Sequence, residues 1–432
     1  MGRASRASFT AGILLLVSSH EASWPPRSTG APAPPPGRLG ALADPSPLST
    51  QEEGHPLALA LARQFNPAMV LPWRDIWPVE VRYAWHDGAD LVARVKTGGR
   101  VREHVAVPGR MLDRTDWSHL PSRTPEGHEV RYYVDAPGDD RPAGQEGLSR
   151  WRHRWRQIVQ PNGLDASPSQ SAYPPTQYAH LFWWNRAKGL LAIQYWFYYP
   201  FNEWANRHEG DWEHIQVVLE GPSTFEDGAT FKPVGHQFFF HEFWVEPEEM
   251  VRLPGEDPAE DHPLVFVGGQ GRFLFWGGDF SGGSFPLPGR YEKSGFRSKW
   301  LAPADEVVQQ ERFLAAGDFN VILLPEPERL DGRRHPELSW LRLPFYPGQA
   351  SVFTNPPLYG LLGGDHPPSN PARRPEWSAP PASAPWAGRL VPMAEVLAEK
   401  SAGDRRLAGA APGTWTAALV GLSEVLPAAK PQ

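Results

Sequence analysis

Residues 189–221, GLLAIQYWFYYPFNEWANRHEGDWEHIQVVLEG, constrain the fold of this chain more than any other stretch. Two runs dense in aromatic and aliphatic side chains flank a short polar loop, and the carboxylates sit where the second run begins. Residues 190–199 have strand length and almost no polar side chain, the pattern of a central strand covered on both faces, and Pro200 is expected to end it. From 211 to 219 the side chains alternate. Asp211, Glu213, Ile215, Val217 and Leu219 share one face, and Trp212, His214, Gln216 and Val218 share the other.

Two acids therefore open an otherwise apolar face, and ionised carboxylates facing a core are costly unless paired, hydrogen-bonded or bound to a cation. Side chains at i and i+2 on a strand project side by side at roughly 7 Å, within reach of one ion. His208 in the preceding loop, with Asn202 or Glu203, can close the shell from the other side. Mostly oxygen donors with a single imidazole point to Ca²⁺, Mg²⁺ or Mn²⁺ ahead of zinc. The plainer alternatives are salt bridges from the acids to Arg207 or Arg186, or solvation where the strand leaves its neighbours. His214, on the opposite face, reads as a hydrogen-bonded core histidine. Gln194, among aromatics, is a candidate ligand contact whose plainer role is to satisfy a buried backbone group.

The motif IQYWFYYPFN at 193–202 followed by HEGDWEH at 208–214 resembles the family named for vacuolar protein sorting protein 62. Phe65-Asn66-Pro67 with Trp77-Pro78-Val79-Glu80, the run HPLVFV at 262–267, and residues 340–377 extend that resemblance over most of the chain. Arg272 stands where the family has a His, which makes it a candidate ligand contact in place of that residue. His241 lies near another family His and is the candidate proton-moving group beside Glu213. The heptad is also similar, more distantly, to that of the necrosis- and ethylene-inducing toxins. These are β-sandwiches whose heptad supplies a divalent-cation site used in binding sphingolipid head groups. That likeness implies His208, Asp211, Glu213 and Asn202 as ligands, with Gly210 replacing a second His and Asn202 replacing an Asp.

The expected fold is mainly β: a single large β-sandwich with long loops and a few peripheral helices. With 432 residues, 41% of them hydrophobic, the chain is able to bury such a core. Residues 56–385 are assigned to it, with an insertion at about 100–170. Strands are expected at 79–83, 91–96, 130–134, 235–245, 263–267 and 320–324, helices at 57–65 and near 148–158, and a Gly- and aromatic-rich loop at 268–289. His236 and His241 have opposite parity on the strand predicted over 235–245, so they cannot both serve one ion. Residues 1–22 carry Arg3, Arg6 and an apolar run at 11–17, the order of a secretory signal cut after Ser19 or Ala22. The protein is then secreted or periplasmic, or cytoplasmic if that segment is not a signal. Residues 23–55 read as a Pro-rich linker and 386–432 as a helical tail, with Trp415, Leu419, Leu422 and Leu426 at helical spacing.

Composition narrows the chemistry. A net charge of -7 leaves no electrostatic footprint for nucleic acid, and the absence of cysteine removes disulfides, thiolate metal sites and thiol catalysis. No GxSxG, P-loop or HExxH motif is present. The leading expectation is a cation-dependent binding or membrane-active protein, its ion bridging a carbohydrate, phosphate or lipid head group. Trp183, Trp184, Trp204, Trp244 and Trp276 are candidates for contacts around that ligand. The alternatives are a metal-assisted hydrolase, with Glu213 or His241 moving protons, and a structural protein without metal.

Overall fold

The computed structural model describes residues 38–97, 100–117, 120–135, 152, 154–158, 168–203, 208–241, 243–248, 250–254, 261–269, 271–273, 276–278, 280–292, 304–343, 345–346, 348, 369–381 and 384–407. Its first long element is the helix α1 (Pro56–Gln64). His55 caps it by accepting the Leu57 N–H at 3.2 Å, and Pro56 stands where no backbone donor is needed. Ala58, Leu61 and Ala62 are its buried face.

The strands that matter here are β1 (Ala68–Leu71), β2 (Thr176–Asn185), β3 (Leu190–Asn202), β4 (His208–Glu220), β5 (Lys232–Phe240), β6 (Phe243–Val245), β7 (Asp261–Val267) and β8 (Asn320–Leu323). β2 to β6 pair antiparallel in chain order within an eight-stranded main sheet. Ser46–Pro47 and β8 join the outer side of β2, and Ala384–Pro385 joins β6. A second sheet pairs β7 in parallel with β1, and Arg312–Leu314 antiparallel with β1.

Period-two patterning explains how the layers meet. Met69, Leu71, Val265 and Val267 point into the large core with Ile215, Val217, Phe197 and Tyr199 of the main sheet. Their sequence neighbours Ala68, Val70, Leu264 and Phe266 point the other way, into a smaller cluster with Phe240, Phe285 and Tyr291. α1 covers the same side of the main sheet, where Ala62 O accepts the Tyr195 hydroxyl at 3.1 Å. The fold is mainly β, as expected. β3 is buried along its whole length, and so is β4 except for Glu220.

Several local expectations differ from what forms. Pro200 does not end β3, which runs on to Asn202. Opposite that step the ladder pairs Tyr199 with Asp211 and then Phe201 with Glu209, and Gly210 adopts φ 62. A proline is tolerated where the partner strand is kinked out of the ladder.

The segment predicted as a strand at 79–83 instead enters a 3₁₀ helix (Val81–Gly88). Its donors are taken elsewhere: Val79 N–H by Tyr198 O at 2.8 Å and Val81 N–H by the Tyr178 hydroxyl at 2.9 Å. The expected insertion opens as a strand, Arg100–Val107, paired with Asp90–Thr97, which in turn pairs with Val130–Asp135. The stretch predicted as one strand at 235–245 breaks at His241 (φ 53) into β5 and β6. The predicted loop at 268–289 contains the short strands Gly271–Phe273, Trp276–Gly278 and Ser284–Phe285. The tail forms α2 (Met393–Leu407). Residues 1–22 and 414–426 lie outside the described residues. Among the described residues no helix is long and apolar enough to cross a membrane.

Candidate functional site

At one end of the β3–β4 ladder a group of oxygen-bearing side chains collects against the loop 280–283. Asp211 lies directly across from Tyr199 and is buried at 2% exposure. Its Oδ1 accepts the Trp212 N–H at 2.9 Å, and its Oδ2 accepts the Asn202 amide at 2.7 Å. Strict alternation would put Asn202 and Asp211 on opposite faces. The register runs on without a shift, and the left-handed conformation of Gly210 (φ 62), beside Asp211, accompanies the approach of the two side chains. The Asn202 amide also donates to Ser281 O at 3.2 Å, which ties the strand end to the loop.

Glu213, two residues along on the same face, is only 6% exposed. It makes no hydrogen bond or ion pair among the described residues. Gly282 lies against it: a Cβ there would stand 3.5 Å from Glu213 Cγ and 3.2 Å from Tyr199, and its φ of 72 suits glycine. Burial, and then the neighbouring Asp211 charge, hold the Glu213 pKa well above the ordinary carboxylate value, with Arg374 and His241 pulling the other way. The buried Tyr199 hydroxyl has no hydrogen-bond partner among the described residues, and its pKa too is raised by burial and then by Glu213 and Asp211. The Ser281 hydroxyl, packed against Gly268, is also buried without a hydrogen-bond partner among the described residues.

His241 completes the group. The positive φ that ends β5 turns its ring toward Asp305, whose carboxylate oxygens lie 2.9 and 3.1 Å from Nε2. Burial disfavours the imidazolium, but Asp305, then Glu213 and Asp211, outweigh it and raise the pKa to about 9. The imidazole is therefore cationic at neutral pH, and its side chain keeps 24% of its surface exposed.

The sequence-based site is thus assembled in part. Asp211, Glu213, Asn202 and His241 come together. His208, opposite Asn202 in the ladder, turns its Nδ1 to Gly210 O at 2.8 Å. Gln194 lies on the other face, donating to Gln216 at 3.1 Å and to Glu376 O at 2.6 Å, which is the plainer of its two expected roles. Arg186 is engaged with Glu52 at 2.6 Å and is not paired with the acids. Trp183 and Trp184 are fully buried and Trp244 is 5% exposed, so these three pack the interior where ligand contacts were expected. Trp204 and Arg207 lie outside the described residues, as do the side chains of Arg272 and Trp276, whose backbones pair as strands.

Sequence reasoning missed Tyr199, Ser281, Asp305 and Arg374. Tyr199 was readable, because pairing the two runs across their loop places it opposite Asp211. No local signal marks the other three.

Among the described residues, no three His, Asp or Glu side chains form a ready metal cage. The donors on hand are two carboxylates, one amide, the Tyr199 hydroxyl and the Ser281 carbonyl. That all-oxygen set suits a hard cation completed by water or backbone oxygens.

No protein-family model matches the chain. No curated protein matches it either, so the resemblance to the vacuolar protein sorting protein 62 family rests on the motif residues. Among solved structures the chain is similar to the non-toxic HaNLP3 protein, at 15% identity over 35% of this chain and 53% of that one, with a TM-score of 0.19. It is also similar to Necrosis and Ethylene inducing Protein 2 from the causal agent of cocoa's Witches Broom disease, at 14% identity over 52% of this chain and 66% of that one, with a TM-score of 0.20. The chain spans about half the length of the first and just under two thirds of the second. At these scores neither likeness carries an argument about the site.

Proposed function

We propose that this protein binds a divalent cation, Ca²⁺ or Mg²⁺, at Asp211 and Glu213, with the Asn202 and Tyr199 side-chain oxygens and the Ser281 carbonyl beside them, and uses it to hold an anionic or hydroxyl-rich ligand. The ligand classes that fit are a carbohydrate, a phosphate or a lipid head group. The observation that supports this reading is Glu213: a buried carboxylate, next to a second one, with no hydrogen-bond or ion-pair partner among the described residues. Leaving a buried charge unpaired costs several kcal/mol, and a dication removes that cost for both acids at once. The unpartnered Tyr199 hydroxyl, which feels both acids, is a donor that a cation would engage. The ion supplies Lewis acidity and a bridging charge. The chain's own residues position it and, through His241, present a positive group at the rim.

The test begins with the metal content of the purified protein and calorimetric titration of the metal-stripped protein with CaCl₂ and MgCl₂. Saturable binding in wild type that is lost in Glu213→Gln supports the reading; a flat titration with both metals removes it. Binding to liposomes and glycan arrays, with and without the cation, then identifies the ligand class. Export of the chain, suggested by residues 1–22, belongs to the same proposal and is tested by mapping the N-terminus of the mature protein.

A metal-assisted hydrolase is the second reading, favoured by the His241–Asp305 pair. An imidazole held by a carboxylate beside two acids is an arrangement that moves protons. Cation-dependent turnover of esters, phosphoesters or glycosides separates it from the binding reading.

A further inference from the structure

The face of the main sheet opposite Asp211 and Glu213 is crossed by a strap, residues 374–379. Arg374 Nη1 donates to Trp212 O at 3.0 Å, and Gln194 on β3 donates to Glu376 O at 2.6 Å. Trp377 stacks on His180 of β2 with centroids 3.7 Å apart and planes at 18°. Ser378 Oγ then lies between His180 Nε2, at 2.7 Å, and Glu326 Oε1, at 2.8 Å. The strap thus touches β4, β3 and β2 in turn, and its last contact joins groups that can share protons.

Counting hydrogens fixes the charge of that contact. A carbonyl oxygen only accepts, so His180 Nδ1, 3.1 Å from Leu324 O, carries a proton. Ser378 has one hydroxyl proton for two neighbours. Given to Glu326, it leaves Nε2 to donate to Oγ, which requires an imidazolium; given to Nε2, it requires a protonated Glu326. Either way the trio holds one proton more than a neutral imidazole and a carboxylate do. Burial opposes the ionisation of Glu326, but His180, then Trp377 and Ser378, outweigh it and hold its pKa at about 2. The extra proton therefore resides on the His180 ring, which is 1% exposed.

Elsewhere the strap is poorly satisfied. Glu376 is buried, yet its Oε2 accepts no hydrogen bond among the described residues and has Arg374 Nε only at 4.0 Å. Gln194 Oε1 is likewise buried without a hydrogen-bond partner among the described residues. Ser378 stands at φ 51, a backbone region that residues other than glycine seldom occupy. Unpaired buried acceptors and a strained turn both favour lifting the strap, so the contact at His180 matters to its hold.

We propose that His180, Ser378 and Glu326 form a proton-held clasp that keeps the strap 374–379 docked and releases it as the solution turns alkaline. Without the extra proton, one hydroxyl hydrogen must serve both Nε2 and Oε1, and one contact becomes lone pair against lone pair. A released histidine gives up its proton through about pH 6.5. The docked clasp retains it, so the hold is full below that pH and weakens as pH rises. The charged groups packed around the clasp are Glu376 and Arg374 on the strap, and Glu53 with Arg329 behind Glu326. On the sheet, burial raises the Tyr178 pKa, and burial, then Arg374, keep His214 on β4 neutral.

The test uses full-length protein in EDTA, so that it does not depend on any cation. Hydrogen–deuterium exchange is followed by mass spectrometry from pH 6 to pH 9, with times scaled for the intrinsic pH dependence of amide exchange. The reporters are peptides spanning 374–379, where the Trp377 and Ala379 N–H groups donate to Arg374 O and Glu376 O. Above pH 7 they should lose protection by up to about tenfold per pH unit, the slope of a one-proton release, while β3 and β4 stay protected. Nitrogen-15 NMR at pH 7 should show both ring nitrogens of His180 protonated. In Glu326→Gln the side-chain amide donates to Oγ, its oxygen accepts from Trp377, and the hydroxyl donates to a neutral Nε2. No extra proton is then needed, so His180 should read as neutral and the protection of the strap should be level with pH. Three results overturn the proposal: a neutral His180 in wild type at pH 7, level protection of the wild-type strap from pH 6 to pH 9, or an unchanged slope in Glu326→Gln. The first two are read on wild type and decide the matter even if the variant does not fold.

Discussion

Glu213 and Glu326 lie on opposite faces of the same sheet and are equally hidden, at 6% and 7% exposure. Glu326 accepts from Trp377 at 3.0 Å and from Ser378 at 2.8 Å, with His180 3.5 Å away; burial opposes its ionisation, but His180 first, then Trp377 and Ser378, outweigh it and lower the pKa to about 2. Glu213 has no such contacts, and burial drives its pKa up. Depth therefore does not decide whether a carboxylate is charged; its partners do. One carboxylate has its hydrogen-bond partners within the chain, whereas Glu213 has none among the described residues, and that asymmetry is why the proposal puts a cation on the Glu213 side.

The contrast is most easily broken at Glu326. Glu326→Ala strips Ser378 and Trp377 of an acceptor and leaves His180 without its carboxylate. Breaking a buried network of this kind is expected to destabilise the fold by about 3–5 kcal/mol. Urea unfolding followed by tryptophan fluorescence measures it, and a loss near zero means that the carboxylate is not held by its partners as argued.

Glu213→Leu is the mirror experiment and carries the opposite sign. Without a cation, replacing an unpartnered polar group by an apolar one of similar size is expected to raise stability by about 1–3 kcal/mol. Saturating Ca²⁺ or Mg²⁺ should then reverse the order. Wild type gains about 2.7 kcal/mol at a hundredfold excess over Kd, and the variant gains nothing. Calorimetric melts with EDTA and with each metal test both halves.

Acidity sharpens the same comparison. Glu326 has a folded pKa of about 2, below its ordinary 4.5. Its contribution is in full force above pH 4.5 and disappears as pH falls toward 2, because the unfolded chain then binds the extra proton. Glu213 has a raised folded pKa, so in EDTA its contribution is present below its ordinary value of 4.5 and declines as pH rises. Urea midpoints across pH, each compared with the matching Glu→Gln variant, should slope in opposite directions, and a bound cation should cancel the decline for Glu213. Two slopes of the same sign would remove the distinction.

How much of this was readable in the sequence depends on how far apart the partners lie along the chain. The β3–β4 hairpin declares itself through alternation, and with it the shared face of Asp211 and Glu213. What alternation cannot carry is a local turn of the backbone: Gly210 and His241, both at positive φ, depart from the regular strand that was expected. Ser281, Asp305 and Arg374 reach the site from segments 60 or more residues away, and nothing in their local composition marks them. The His180 cluster joins β2 to Glu326 and Ser378, well over a hundred residues later, and its signature is a backbone angle, which composition does not encode.

The smallest expected effect bears on that limit most directly. The heptad resemblance implies His208 as a ligand, yet its Nδ1 is spent on Gly210 O at the kink. His208→Ala should accordingly leave the cation affinity within about twofold, roughly 0.4 kcal/mol, while Asp211→Asn weakens it about 100-fold, near 2.7 kcal/mol. Calorimetric titration of the two variants side by side reads the difference. If His208→Ala loses as much as Asp211→Asn, then the ion must pull the imidazole away from Gly210 O and rebuild the strand end. The kink would then be a resting state and not the bound one.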